Sequence, residues 1–175
     1  MTEAQLSNAM DAYGSTVYRL ALTRMQNIAD AEDVYQEVFL WLWKQAAEDW
    51  DGDRAKAWLI RTTLNRCADL HRFRLRRPVL SFEEIPDLAQ PEDESRELWE
   101  AVSRLPEKAR TAVHLYYAEG YSAEEISQLM HIPAATVRTR LHRARKQLKE
   151  LLGGIDDETC VSRSDGTNFG PQRAE

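Results

Sequence analysis

Ser122-Ala-Glu-Glu-Ile-Ser-Gln-Leu-Met130, His131-Ile-Pro133 and Ala134-Ala-Thr-Val-Arg-Thr-Arg-Leu-His-Arg-Ala-Arg-Lys-Gln-Leu-Lys149 follow one another in the chain, and their reading decides the fold. Ser122 with Glu125 three residues later is a capping box, which opens a short helix by satisfying backbone donors at both positions. Ile126, Leu129 and Met130 form its apolar side. His131-Ile-Pro133 forces a turn, because the residue before a proline is pushed out of helical backbone geometry. Beyond it Val137, Leu141, Ala144, Leu148 and Leu151 recur at three- and four-residue spacing, the buried stripe of a longer helix. Two helices joined by a short turn make a helix-turn-helix. Outward on the second helix lie Thr136, Arg138, Thr139, Arg140, His142, Arg143, Arg145 and Lys146, with no acidic residue between Pro133 and Glu150. A DNA recognition helix needs this asymmetry: a packed stripe holds it while side chains reach base edges and Arg or Lys neutralise phosphates. An ordinary exposed basic helix is the alternative.

Upstream of this unit, Leu98, Val102 and Leu105 begin a helical block, Pro106 restarts a helix carrying Ala109, Val113 and Tyr116, and Gly120 closes it. Earlier still, from about Phe73 to Ser95, periodicity fails: Pro78, Pro86 and Pro91 punctuate a run dense in Glu and Asp, which reads as a linker. The N-terminal part returns to helical spacing three times. Tyr13, Val17, Leu20, Ala21 and Met25 form one stripe, Ala31, Val34, Val38, Trp41 and Leu42 a second, and Ala57, Ile60, Leu64, Cys67 and Leu70 a third. Asp30 and Asp53 are placed to cap the second and third helices. Asp51-Gly52 and Asp165-Gly166 lack the flanking alternation of a hairpin. The expected fold is all-α: two small helical domains, residues 1–75 and 96–152, joined by an acidic flexible linker, 76–95. The polar stretch 153–175 reads as a disordered tail.

The chain has 175 residues and a net charge of −6, which looks unpromising for a nucleic-acid binder until the charge is divided along it. Residues 58–77 carry +5 and residues 131–149 carry +6, whereas 78–100 carry −7. Two basic blocks bounded by acidic chain suggest two separate surfaces for anionic ligands; two solvated helix faces are the bland alternative. The longest apolar run, Val38 to Trp43, is six residues, far short of the roughly 18 or more that cross a bilayer. No basic stretch followed by an apolar one opens the chain, so a secretory signal is not expected. Cys67 and Cys160, 93 positions apart, make neither a disulfide framework nor a metal knuckle, which fits a reducing cytosol. Neither a Gly-rich phosphate loop nor a His-Glu-x-x-His or Gly-x-Ser-x-Gly motif is present, and the four histidines show no ligand spacing. No catalytic residue, metal or cofactor is therefore expected.

Two further surfaces lie in the N-terminal part. Trp58, Arg61, Asn65, Arg66, Asp69 and Arg72 fall outside the third stripe, prolonged by Arg74, Arg76 and Arg77. An aromatic, an amide and several guanidiniums on one surface suit melted DNA, whose bases stack on rings and are read on their edges. Membership of the core is the alternative for Trp58. Asp33, Gln36, Glu37, Leu40 and Lys44 share another face, which on its own is a solvated one.

Asp30-Ala-Glu-Asp-Val-Tyr-Gln-Glu-Val-Phe-Leu40, Ala57-Trp-Leu-Ile-Arg-Thr-Thr-Leu-Asn65, Leu105-Pro-Glu-Lys-Ala-Arg110 and Thr136-Val-Arg-Thr-Arg-Leu-His-Arg-Ala-Arg145 together resemble the successive signatures of the extracytoplasmic-function (ECF) group of bacterial sigma factors. The resemblance covers roughly residues 8 to 152. It implies that Asp33, Gln36, Glu37 and Leu40 dock on core RNA polymerase. It places Asn65, with Trp58, Arg61, Arg66, Asp69 and Arg72, in the region 2 surface that captures unstacked bases of the −10 element. The helix-turn-helix becomes the region 4 reader of the −35 duplex, with Thr136, Arg138, Thr139, Arg140 and His142 nearest the bases and Arg143, Arg145 and Lys146 nearer phosphates. The acidic linker would follow basic channels of polymerase. The partners implied are core polymerase, promoter DNA and an anti-sigma factor, in the cytoplasm. A stand-alone helix-turn-helix regulator is the main rival, although a reader of duplex alone has no need of the Trp58 to Arg77 helix. A sigma-like adaptor that titrates an anti-sigma factor is another.

Overall fold

The computed structural model describes residues 1–44, 52–76 and 93–153. Every regular element among them is a helix: α1 Glu3–Met25, α2 Ile28–Lys44, α3 Gly52–Arg76, α4 Asp93–Ser103, α5 Glu107–Val113, α6 Ala123–Met130 and α7 Ala134–Leu151. A π-helical turn, His114–Ala118, continues α5. The acidic linker and the tail fall almost wholly outside the described residues.

Helices α1, α2 and α3 form an N-terminal bundle around Val17, Ala21, Val34, Val38, Leu42, Leu59 and Cys67. Thr2 caps α1 in a capping box with Gln5, a signal of the same type as Ser122 and Glu125. At the other end Gln26 adopts the left-handed conformation, and its N–H bonds Leu22 O at 2.8 Å to stop the helix. Gly14 lets α2 approach: a Cβ there would stand 3.0 Å from the Tyr35 hydroxyl. Burial removes the Cys67 side chain from water and pushes its thiol up to about 12, so it is inert.

The second half packs α5, the π-turn, α6 and α7 around Leu115, Ile126, Leu129, Val137, Leu141 and Ala144. The capping box forms as expected, Ser122 N–H donating to Glu125 at 2.8 Å and Glu125 N–H to Ser122 Oγ at 3.2 Å. His131 ends α6 in the left-handed region, which sets the angle between α6 and α7. Leu20, Ile60 and Leu64 of the first bundle join this second cluster, so the two halves share apolar core. In addition α1 touches α5 and α3 touches α6.

Several sequence expectations need correction. Asp30 does not cap α2: the helix starts at Ile28, the Asn27 side chain accepts the Asp30 N–H at 2.9 Å, and Asp30 is itself buried. Its carboxylate pairs with Arg74 at the far end of α3. Asp53 likewise stands inside the first turn of α3. Trp41 is 40% exposed, because the buried face of α2 runs through Val34, Val38 and Leu42 and leans towards Phe39. Leu98 is exposed while its neighbours Ala101 and Val102 are buried, and Leu151, at the last position of α7, is partly exposed.

Candidate DNA and polymerase interfaces

On α7 the buried Val137, Leu141 and Ala144 fix which side faces outward. Arg138, Thr139, His142, Arg143, Arg145 and Lys146 are exposed, and Thr136 and Arg140 are half-buried beside them. All eight expected residues therefore share the outward surface of one helix. Three are already engaged, the first being Arg145, whose Nε donates to Leu141 O at 3.3 Å. Arg138 pairs with Glu124 of α6, and the Thr139 hydroxyl donates to Ala135 O at 2.9 Å. The Arg138–Glu124 pair is open to water, where such pairs contribute about 0–1 kcal/mol, so a phosphate or guanine can displace Glu124 at little cost.

On α3, Arg61, Asn65, Asp69 and Arg72 recur at spacings of four, four and three and are exposed, so they line one face. Arg72 pairs with Asp69. Trp58 is only half-exposed and packs against the N-terminal core, so its ring serves the bundle as well as the surface.

On α2, Asp33, Gln36 and Leu40 are exposed and Glu37 is half-buried. Glu37 reaches across to α3, where Arg66 donates to it at 2.7 Å. The pair joins the two N-terminal surfaces that sequence reasoning kept separate. It also rules out a charge reversal at Glu37 as a clean probe of docking, since a lysine there would face Arg66.

Sequence reading missed Trp43. It is 41% exposed, seven residues from Gln36 and three from Leu40, and so extends that face as an apolar patch. The signal was available: a helix end apolar on every side, Val38-Phe-Leu-Trp-Leu-Trp43, is either buried all round or docks a partner. No helix among the described residues is long and apolar enough to cross a membrane.

Residues 9–77 match the family model for sigma-70 region 2, and residues 95–148 match the model for sigma-70 region 4. ECF RNA polymerase sigma factor SigM of Bacillus subtilis is 31% identical over 155 residues, an alignment spanning 83% of this chain and 94% of that protein. The chain belongs to the ECF sigma factor family.

A second ECF sigma factor, SigE of Mycolicibacterium smegmatis, is 34% identical over 86% of this chain, which spans 62% of that relative's length. Among solved structures, the sigma factor RpoE of Bartonella quintana in complex with the anti-sigma factor NepR shares the fold, with a TM-score of 0.73 at 23% identity over 87% of this chain and 99% of that one. CnrH, in complex with the cytosolic domain of CnrY, is similar at a TM-score of 0.62 and 25% identity, covering 89% of this chain and 92% of that one. The all-α fold expected from helical spacing is thus the fold of the ECF sigma factors.

Proposed function

We propose that this ECF sigma factor docks on core RNA polymerase through α2, captures unstacked bases of the −10 element on α3 and reads the −35 duplex with α7. The observation that carries the reading is the outward face of α7. It presents Arg138, Arg143, Arg145 and Lys146 on a helix that holds no acidic residue before Glu150, and a buried Val137, Leu141 and Ala144 stripe fixes it in place. In the same chain the exposed Arg61, Asn65, Asp69 and Arg72 face supports base capture. Gln36, Leu40 and Trp43, an apolar patch with a polar rim, support protein docking.

The proposed units keep the sequence boundaries: 1–75 for region 2, 76–95 for the linker, 96–152 for region 4 and 153–175 for the tail. Melting uses no nucleotide hydrolysis and no cofactor, because capture of flipped bases offsets the few kcal/mol of unstacking and unpairing. The protein is non-catalytic and acts in the cytoplasm, where polymerase is. An anti-sigma factor is a proposed partner, supported by relatives solved with one.

The test is to mix the purified chain with bacterial core polymerase and sheared genomic DNA of its host, then sequence the 5′ ends of the transcripts. Defined starts sharing one −35/−10 pair are expected. Core binding without initiation would favour an adaptor, and absence of core binding would favour a stand-alone regulator.

A further inference from the structure

Beside the shared Leu20, Ile60 and Leu64 core, the two halves meet along a polar seam. From the second half, Arg110 is 6% exposed and reaches into the C-terminal end of α1, donating to Thr23 O and, at 3.3 Å, to Arg24 O. Those are carbonyls of a helix end that has no intrahelical partner for all of its last four, and a cation there also meets the negative end of the helix dipole. The same guanidinium holds Ser103 O at 3.0 Å and Leu105 O at 2.9 Å, so one side chain ties α1 to the α4–α5 corner. Gln26 adds a bond to Ser103 O at 2.7 Å, and Arg24 pairs with Glu107.

A few residues on, Glu119 enters a socket made by the first half. Its side chain is 4% exposed; it accepts from the Thr16 hydroxyl at 3.2 Å and pairs with Lys56 at 3.0 Å, with Arg19 at 3.8 Å. Lys56 also stands over the Tyr121 ring, 5.4 Å from its centre. Beside it Thr23 and His114 share a 3.2 Å hydrogen bond. The seam is nevertheless incompletely satisfied. Arg24 Nε, His71 Nε2, His114 Nε2 and Glu119 Oε1 are buried without hydrogen-bond partners. Glu119 Oε1 has Arg19 and His114 only at 3.8 Å and His71 Nε2 has Glu107 at 3.6 Å, too long for hydrogen bonds. The polar part of the interface is thus imperfectly paired, as in interfaces that domains open and close.

The closed form also has a geometric consequence. Helix α3 packs on α6 and α6 on α7, two interhelix steps of roughly 8–10 Å, which hold the two DNA-reading helices within about 20 Å of one another. Elements centred near −35 and −10 lie about 25 base pairs apart, roughly 85 Å of duplex at about 3.4 Å per pair. The covalent reach of positions 77–92, between α3 and α4, is at most about 60 Å. That reach, added to the size of the halves, spans the distance only when the seam is open.

We propose that Arg110 and Glu119 form a reversible clasp onto α1 and Lys56, which keeps the free chain closed and must release before both helices can meet one promoter. The clasp rests on geometry alone; its effect on promoter engagement rests on the sigma factor reading above.

The test places spectroscopic labels on the full chain at two exposed positions, Asn8→Cys on α1 and Gln128→Cys on α6, with Cys160→Ser. A single short interlabel distance is expected for the parent chain. Lys56→Glu should move the population towards long, broad distances, raising the open fraction roughly tenfold because Glu119 loses its partner and gains a like charge. Thr16→Val, on a different helix, should do so more weakly, and far-UV circular dichroism should stay unchanged in both. A parent chain already broad, or a Lys56→Glu chain with unmoved distances, would overturn the clasp. With core polymerase, Lys56→Glu should reach half-maximal transcription at a lower concentration than the parent. If the parent gives no transcript at all, the sigma factor reading has failed, while the distances still judge the clasp.

Discussion

At the scale of single residues, the proposed promoter contacts would divide charge on α7 into two kinds of work. Arg138→Ala should cost about 1–3 kcal/mol on the preferred promoter and relax specificity at one base, whereas Arg145→Ala should weaken all sequences alike and lower the salt slope by about one. Titrating duplex −35 sequences against salt separates the two. Arg138 should first have to leave Glu124, so Glu124→Gln is expected to tighten binding slightly. His114 gives a pH dependence. Burial, its main influence, lowers its pKa below the ordinary 6.5, against Glu119, which raises it, and with Arg19, which lowers it further. Lys56 faces the same Glu119, and Thr23 holds Nδ1. A histidine held neutral in the closed form and free to charge in the open one favours closure above about pH 6.5 and loses that contribution as pH falls through it. The interlabel distance should therefore lengthen on acidification, and His114→Gln should flatten that response.

Elements are where most of the sequence signal lay. The capping box, the apolar stripe and the Pro133 turn together fixed α6 and α7, because each is local and all three agree. Leu141, 2% exposed, anchors that unit, so Leu141→Ala should destabilise the protein by about 2–5 kcal/mol in urea unfolding. The helix ends of the first bundle were less legible. Asp30 and Asp53 look like caps in sequence, but the choice between Asn27 and Asp30 depended on a partner 44 residues away, Arg74, which no local pattern reveals. Trp43 was missed for a similar reason: period alone cannot say which side of an all-apolar helix end stays wet. If α2 docks polymerase, Trp43→Asp and Leu40→Asp should abolish core binding in a pull-down while leaving circular dichroism unchanged, since both side chains are exposed.

On the scale of the whole molecule, charge segmentation and motif order made two helical halves legible, and the shared core between them was not. Leu20, Ile60 and Leu64 read in sequence as members of their own stripes, yet they pack with residues of the other half. Arg110 was visible only as the last residue of the Leu105–Arg110 signature and Glu119 carried no signal, because the role of a buried charge is recognisable only once its partners surround it. This sharing predicts a thermal profile: the parent chain should unfold in one cooperative transition by calorimetry, and Lys56→Glu should separate it into two, as each half melts by itself. The π-helical turn at His114–Ala118 adds something of another kind. Compared with an α-helix it holds one extra residue in a wider turn, closed by the Glu119 N–H on His114 O, five residues back, at 3.2 Å. Removing one position there, such as the exposed Tyr117, would close the same bond over four residues and restore ordinary winding with Glu119 still at its socket. At this point of the chain a change of length is absorbed by the width of a single turn, and one deleted codon would leave the aim of the following half as it was.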